Sequence, residues 1–121
     1  MKVRGWIKTW SIVFLFTPKW VDGITIFPFI FIRKGYDKDM DEALYKELIN
    51  HERIHIVQQG ECLVLPWLLI YGFNYMVNLI RFKKHFEAYY NICMEREAYS
   101  NQSQKDYLDK RKTFQWKKYF K

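Results

Sequence analysis

The 121 residues suffice for one domain with a buried core, and half of them are hydrophobic and a fifth aromatic, which excludes a disordered or fibrous chain. The formal charge of +7 excludes an acidic solvating tail and leaves room for an anionic partner such as a membrane surface, a nucleic acid or an acidic substrate. Two cysteines, Cys62 and Cys93, are too few for a disulfide scaffold and lack zinc-knuckle spacing, so two buried reduced thiols are expected.

The chain reads as a single α+β domain spanning 1–121. Its first stretch, "MKVRGWIKTWSIVFLF", has basic residues and then a short apolar run without a small-x-small cleavage site. It predicts a strand over 9–16, with a signal-anchor as the alternative, and a cytoplasmic or membrane-associated protein. The run "GITIFPFIFIRK" predicts a second strand over 24–33. Between the two lies "TPKWVDG", with Pro and Asp-Gly turn chemistry, so the strands are expected to neighbour one another antiparallel. Pro28 has no amide hydrogen to give a ladder, which makes the second strand an edge or bulges it there.

"YDKDMDEALYKELINHERIHIVQQ" follows. Asp39 with Glu42 three residues on is a start signal of the capping-box type. Leu44, Leu48, His51, His55, Gln58 and Cys62 then recur at steps of three and four, predicting a helix over 40–62.

Leu63 to Ile80 is mostly apolar and approaches bilayer-spanning length. Trp67, Tyr71 and Tyr75, with Arg81, Lys83 and Lys84 beyond, suit a membrane interface. Pro66, Gly72, Asn74 and Asn78 dilute the run. A packed helical hairpin is expected, broken at Pro66 or between Gly72 and Asn78, with an aromatic surface that contacts a membrane or partner. The last third predicts one helix through "CMEREAY", then a short helix or irregular stretch in "SQKDYLDKRK", within a basic aromatic tail over 105–121 where seven Lys and Arg face two Asp. That tail reads as a solvated face.

His51-Glu52-Arg53-Ile54-His55 is a complete HExxH. Residues four apart on a helix lie about 40° apart around its axis, so both imidazoles can point at one ion. Glu52 is rotated by about 100° from His51, within reach of a water beside the ion but not placed as a ligand. Catalytic zinc needs three protein ligands and one open position. Glu95 could supply the third from a helix packed against the first, whereas Glu97 lies about 200° round from it and points elsewhere. His85 is the alternative third ligand, with Lys83 and Lys84 beside it. Gln58 and Gln59 read either as hydrogen-bond partners of ligand imidazoles or substrate backbone, or as surface polar residues. Cys62, about 10 Å along the axis from His55, is too far for the same ion.

"HERIHIVQQ…EREA" resembles the zincin metallopeptidases of the gluzincin type, in which HExxH is completed by a glutamate in an E-x-x-A-D pattern. It is especially similar to small bacterial or phage zincin-like domains with HExxHxxQQ. The resemblance covers residues 24 to 100. It implies His51, His55 and Glu95 as ligands of Zn2+, Glu52 as the base activating the zinc-bound water, and a peptide or protein as substrate. Tyr99 departs from the pattern, standing where many relatives carry an aspartate that orients a ligand histidine. The oxyanion would need a further donor, for which Tyr71, Tyr89, Tyr90 and Tyr99 are available. The strand 24–33, just before the helix, is where a peptide could add as an extra strand.

Two other functions fit parts of the chain. One is a non-catalytic zincin-like structural or assembly protein. The other is a basic-aromatic binding module carried by 105–121, ranked low for nucleic acid because no recognised nucleic-acid motif is present.

Overall fold

Pro28 decides the shape of the first apolar run. The computed structural model describes residues 6–8, 23–32 and 41–120. In it the run 24–33 folds back on itself: β2 (Gly23–Ile26) and β3 (Phe29–Ile32) form an antiparallel hairpin. Phe27 and Pro28 make the turn, and their peptide bond is cis. A proline that cannot donate to a ladder therefore sits between two strands rather than bulging one. The backbone of β1 (Trp6–Lys8) pairs parallel with β3, giving the order β1-β3-β2. The expected strand over 9–16 and its antiparallel pairing lie outside the described residues, as does Asp39. The architecture is α+β, with the hairpin preceding the helices.

Helix α1 (Glu42–Cys62) carries Glu42 in its first turn, which suits the helix dipole, but its N-cap Asp41 makes no side-chain cap bond. Its apolar residues Ile49 and Ile56 pack with Ile30 and Ile32 of the sheet in one core cluster. Leu44, at the head of the expected stripe, is exposed, and burial begins at Ile49. From there α1 buries His51, Glu52, His55, Gln58 and Gln59. Burying so many polar groups is tolerable only when each finds a partner, and the partners define the site described below.

The chain then turns by 112° into α2 (Val64–Phe82). The corner is Leu63, with φ of 67°, a left-handed conformation that normally costs a non-glycine residue about 1 kcal/mol or more. Pro66 sits in the first turn of α2, where a missing amide hydrogen leaves no intrahelical bond unmade. Gly72 to Asn78 is continuous helix. The break expected at Pro66 or in that stretch is thus moved to Leu63, and α2 runs unbroken to Lys83, which ends it with φ of 60° and an amide bond to the Leu79 carbonyl.

Two short helices complete the return, α3 (His85–Tyr90) along α2 and α4 (Cys93–Asn101) against α1. Trp67, Ile92, Cys93, Met94 and Trp116 form a second core cluster. Both cysteines are free, Cys93 buried and Cys62 half-buried, and burial pushes the Cys93 thiol up to about 11. The basic segment holds the short helix expected there, α5 (Tyr107–Lys110), and Lys105, Lys110, Lys112, Lys117 and Lys118 are exposed, while a 3-10 helix (Gln115–Tyr119) brings Trp116 into the core. Arg111 is drawn in as well, its guanidinium bonded to Glu97 and bidentate to Glu61 at 2.8 and 3.0 Å.

Candidate metal centre

Helix geometry puts His51 and His55 one above the other on α1, and α4 brings Glu95 across from them. Glu95 Oε1 lies 2.9 Å from His51 Nε2 and 3.0 Å from His55 Nε2. The three donor atoms lie within 4.8 Å of one another, and all three residues are buried. A cation bonded at about 2 Å to each needs donors only slightly further apart than the Glu95 contacts. This is a group that could hold a metal ion.

The far side of each imidazole supports that reading. Gln58 Nε2 donates to the Met94 carbonyl at 3.1 Å and to Glu97 Oε1 at 2.9 Å. Its Oε1 therefore faces the other way, 2.9 Å from His55 Nδ1, and also accepts from Trp67 Nε1 at 3.2 Å. Since Gln58 Oε1 can only accept, His55 Nδ1 must carry the hydrogen. In its neutral form the ring would present a lone pair at Nε2 to a bound cation; in its protonated form the same nitrogen donates to Glu95 Oε1. Gln102 Oε1 stands 2.8 Å from His51 Nδ1 in the same relation. Tyr71 donates to Glu95 Oε2 at 2.6 Å, leaving Oε1 to the imidazoles. Such partners orient ligand side chains and set their tautomers.

Glu52 lies beside this cluster. Its Oε2 is 3.9 Å from His51 Nε2, and its Oε1 accepts from the Thr25 hydroxyl at 2.8 Å. The carboxyl sits directly under the hairpin: a Cβ at position 23 would lie 3.1 Å from Glu52 Cδ and 3.2 Å from Oε2. Any side chain at 23 would crowd the Glu52 carboxyl and push it aside by a few tenths of an ångström. A cavity of about 400 Å3 opens here, lined by Gly23 to Ile26, Trp67, Leu68, Tyr71, Tyr75, Tyr89 and His85, with Glu52, His55 and Glu95 in its wall.

Burial alone would lower the pKa of His55, but the Glu95 carboxylate outweighs it and the imidazole is pushed up to about 9. Burial raises the Glu52 carboxyl above its ordinary range, against the pull of both imidazoles and of Thr25. Burial would also raise Glu95, yet the paired imidazoles hold it well below the usual carboxylate range. A histidine raised on folding stabilises fully below its ordinary value of 6.5 and loses that contribution as pH climbs to about 9. Glu52, also raised, increasingly penalises the folded state above its ordinary value of 4.5. Glu95 acts only in acid, its contribution being lost as pH falls below 4.5. The thermal midpoint of chelator-treated protein is therefore expected to fall between pH 6.5 and 9. A midpoint that is flat or rises over that interval counts against a His55–Glu95 ion pair.

Among the residues expected near the site, Gln58 partners His55, but Gln59 serves the sheet. Its amide donates to the Thr25 carbonyl at 2.8 Å and accepts from the Phe27 amide at 2.6 Å. Alternate residues of an antiparallel strand bond inward and outward. Gln59 therefore satisfies the Thr25 carbonyl of β2 and the Phe27 amide of the turn, two groups that an added strand would otherwise meet. His85 is not with the cluster; it pairs with the Tyr75 hydroxyl on the cavity wall. Tyr99 packs its ring 4.4 Å from that of His51, and its hydroxyl meets that of Tyr89. Tyr90 stacks on Tyr99. Thr25 and Gln102 carried no signal in the sequence, since a lone threonine in a strand and a lone glutamine after a helix occur everywhere.

No protein-family model matches this chain, and neither the curated proteins nor the solved structures compared with it give a match.

Proposed function

We propose that this protein is a zinc-dependent peptide hydrolase, with His51, His55 and Glu95 holding the ion and Glu52 acting as the general base. The observation that carries the reading is the position of Glu52. A buried carboxyl of raised pKa faces a three-donor cluster from inside the same cavity, the arrangement expected of a group poised to move protons. Two imidazoles and one carboxylate match the donor set of catalytic zinc. A bound Zn2+ would polarise the scissile carbonyl and acidify the attacking water.

The chain's own residues supply the rest. Thr25 holds Glu52 Oε1, so Oε2, the oxygen nearer the cluster, takes the proton from water and returns it to the leaving amine. Gln58, Gln102 and Tyr71 keep the three donors oriented. The apolar walls around Trp67, Leu68 and Ile24 exclude bulk water and favour an apolar side chain next to the cleaved bond. With Tyr71 committed to Glu95 and the Tyr75 hydroxyl paired with His85 Nδ1, the His85 Nε2 is the polar atom of the cavity wall proposed to meet substrate oxygen.

The test is metal content of the purified full chain together with hydrolysis of a mixed peptide library. One ion per chain is expected, with cleavage lost on chelation and restored by Zn2+. A folded chain that retains no transition metal overturns the reading. One that retains zinc without cleaving any peptide is left as the non-catalytic, structural form of the site.

A further inference from the structure

Helix α2 is amphipathic in the wrong sense for a protein surrounded by water. Its buried residues are Trp67 and two asparagines, Asn74 and Asn78. Asn74 accepts from the Cys93 amide at 2.7 Å, and Asn78 donates to the Ala88 carbonyl at 3.1 Å. Its outward face is apolar: Leu65 is 66% exposed, Leu69 65%, Phe73 64%, Met76 56% and Ile80 75%. These recur at steps of three and four, so they form one row about 22 Å long. Scattered exposed leucines are ordinary on soluble surfaces, but a continuous row is the mark of an interaction face. No single helix among the described residues is long and apolar enough to cross a membrane; α1 and α2 pass by length and composition only as a pair bent by 112°.

Charge selects the occupant. From Val64 to Phe86 there is no Asp or Glu, and Arg81, Lys83 and Lys84 close the row; Lys83 and Lys84 are exposed. A second copy laid on this face would bring mainly apolar residues and the same cations to Lys83 and Lys84, with Glu87 on α3 the nearest carboxylate along the chain. A partner offering both a broad apolar layer and a border of anions for Lys83 and Lys84 is a lipid bilayer with acidic headgroups. We propose that the α2 face seats this protein on an anionic membrane surface, with the row from Leu65 to Ile80 in the acyl boundary and Lys83 and Lys84 among the phosphates. Leu68, exposed on α2, also lines the cavity, so docking sets the cavity beside the bilayer. Resting on the hydrolase reading, the substrate is then a membrane-bound or amphipathic chain.

The test is flotation of the full chain with phosphatidylcholine vesicles, with and without phosphatidylglycerol. Wild type is expected to float with the anionic vesicles and to be released by high salt. Phe73→Glu should reduce binding at least about tenfold, and Lys83→Gln with Lys84→Gln about tenfold at low salt. Unchanged circular dichroism and thermal midpoint in the lysine variant keep the result readable if Phe73→Glu folds poorly. The proposal is overturned by absence of flotation, by equal binding to both vesicle types, or by a lipid-free dimer that Phe73→Glu dissociates. Flotation does not depend on hydrolysis, so failure of docking and failure of the peptidase reading are seen separately.

Discussion

Replacing Glu52 with glutamine is expected to leave the metal content unchanged while lowering peptide hydrolysis by about 10²–10⁴-fold, the usual worth of a positioned general base. Glutamine has the same shape, and its carbonyl oxygen can keep accepting from the Thr25 hydroxyl, which now bonds Glu52 Oε1. The three donors at His51, His55 and Glu95 are untouched. What disappears is a basic oxygen facing the cluster. A second effect should run the other way: burial penalises the ionised Glu52 carboxyl, so the neutral amide is expected to raise the thermal midpoint of the metal-free protein. Activity lost together with stability gained is the signature of a residue kept for chemistry rather than folding. Hydrolysis at the wild-type rate by metal-loaded Glu52→Gln would falsify the role assigned to this side chain.

Arg111→Ala is expected to destabilise the fold by about 3–5 kcal/mol, the range for removing one partner of a buried ion pair. Its side chain and that of Glu97 are almost wholly enclosed, at 2% and 0% exposure. Arg111 bonds both Glu97 and Glu61, and the Tyr107 hydroxyl adds a 2.6 Å bond to Glu97. Without the guanidinium, Glu97 is left as a buried charge held only by neutral donors. Adding Glu97→Gln in that background should recover part of the loss, because the orphaned charge is the main cost. The damage also reaches the metal centre, since Glu97 Oε1 holds the Gln58 amide that orients His55. Urea unfolding of both variants, beside zinc affinity, measures the two effects. Wild-type stability in Arg111→Ala would show the pair to be a surface ornament, contrary to its burial.

The α1 helix and the pairing of its histidines could be read from residue spacing because periodicity is a local property. Chemistry asks for a third donor and leaves Glu95 and His85 open, and the resemblance of "EREA" points to Glu95; that it lies within 3.0 Å of both imidazoles is a fact of packing. The hairpin was hidden because "GITIFPFIFIRK" is apolar throughout, and a proline in such a run fits an edge, a bulge or a turn equally well. The corner at Leu63 was hidden for the opposite reason. Leucine does not mark a left-handed residue as glycine would, and the punctuation that was visible, Pro66 and Gly72, lies within continuous helix. The 105–121 segment looked like a solvated charge run because sequence shows how many cations there are, not which one finds two carboxylates. Arg111, between Lys110 and Lys112, is the one that does.

The spread of the site along the chain has a consequence for synthesis. His51 and Glu95 are separated by 44 residues, and Arg111 reaches back 50 to Glu61. A chain emerging from the ribosome displays HExxH well before the carboxylate that completes the cluster. The amide that orients His51, and the cation that neutralises Glu97, come later still. Nascent chains, and fragments ending before the helix that carries Glu95, therefore hold the two histidines without the carboxylate that closes the cluster.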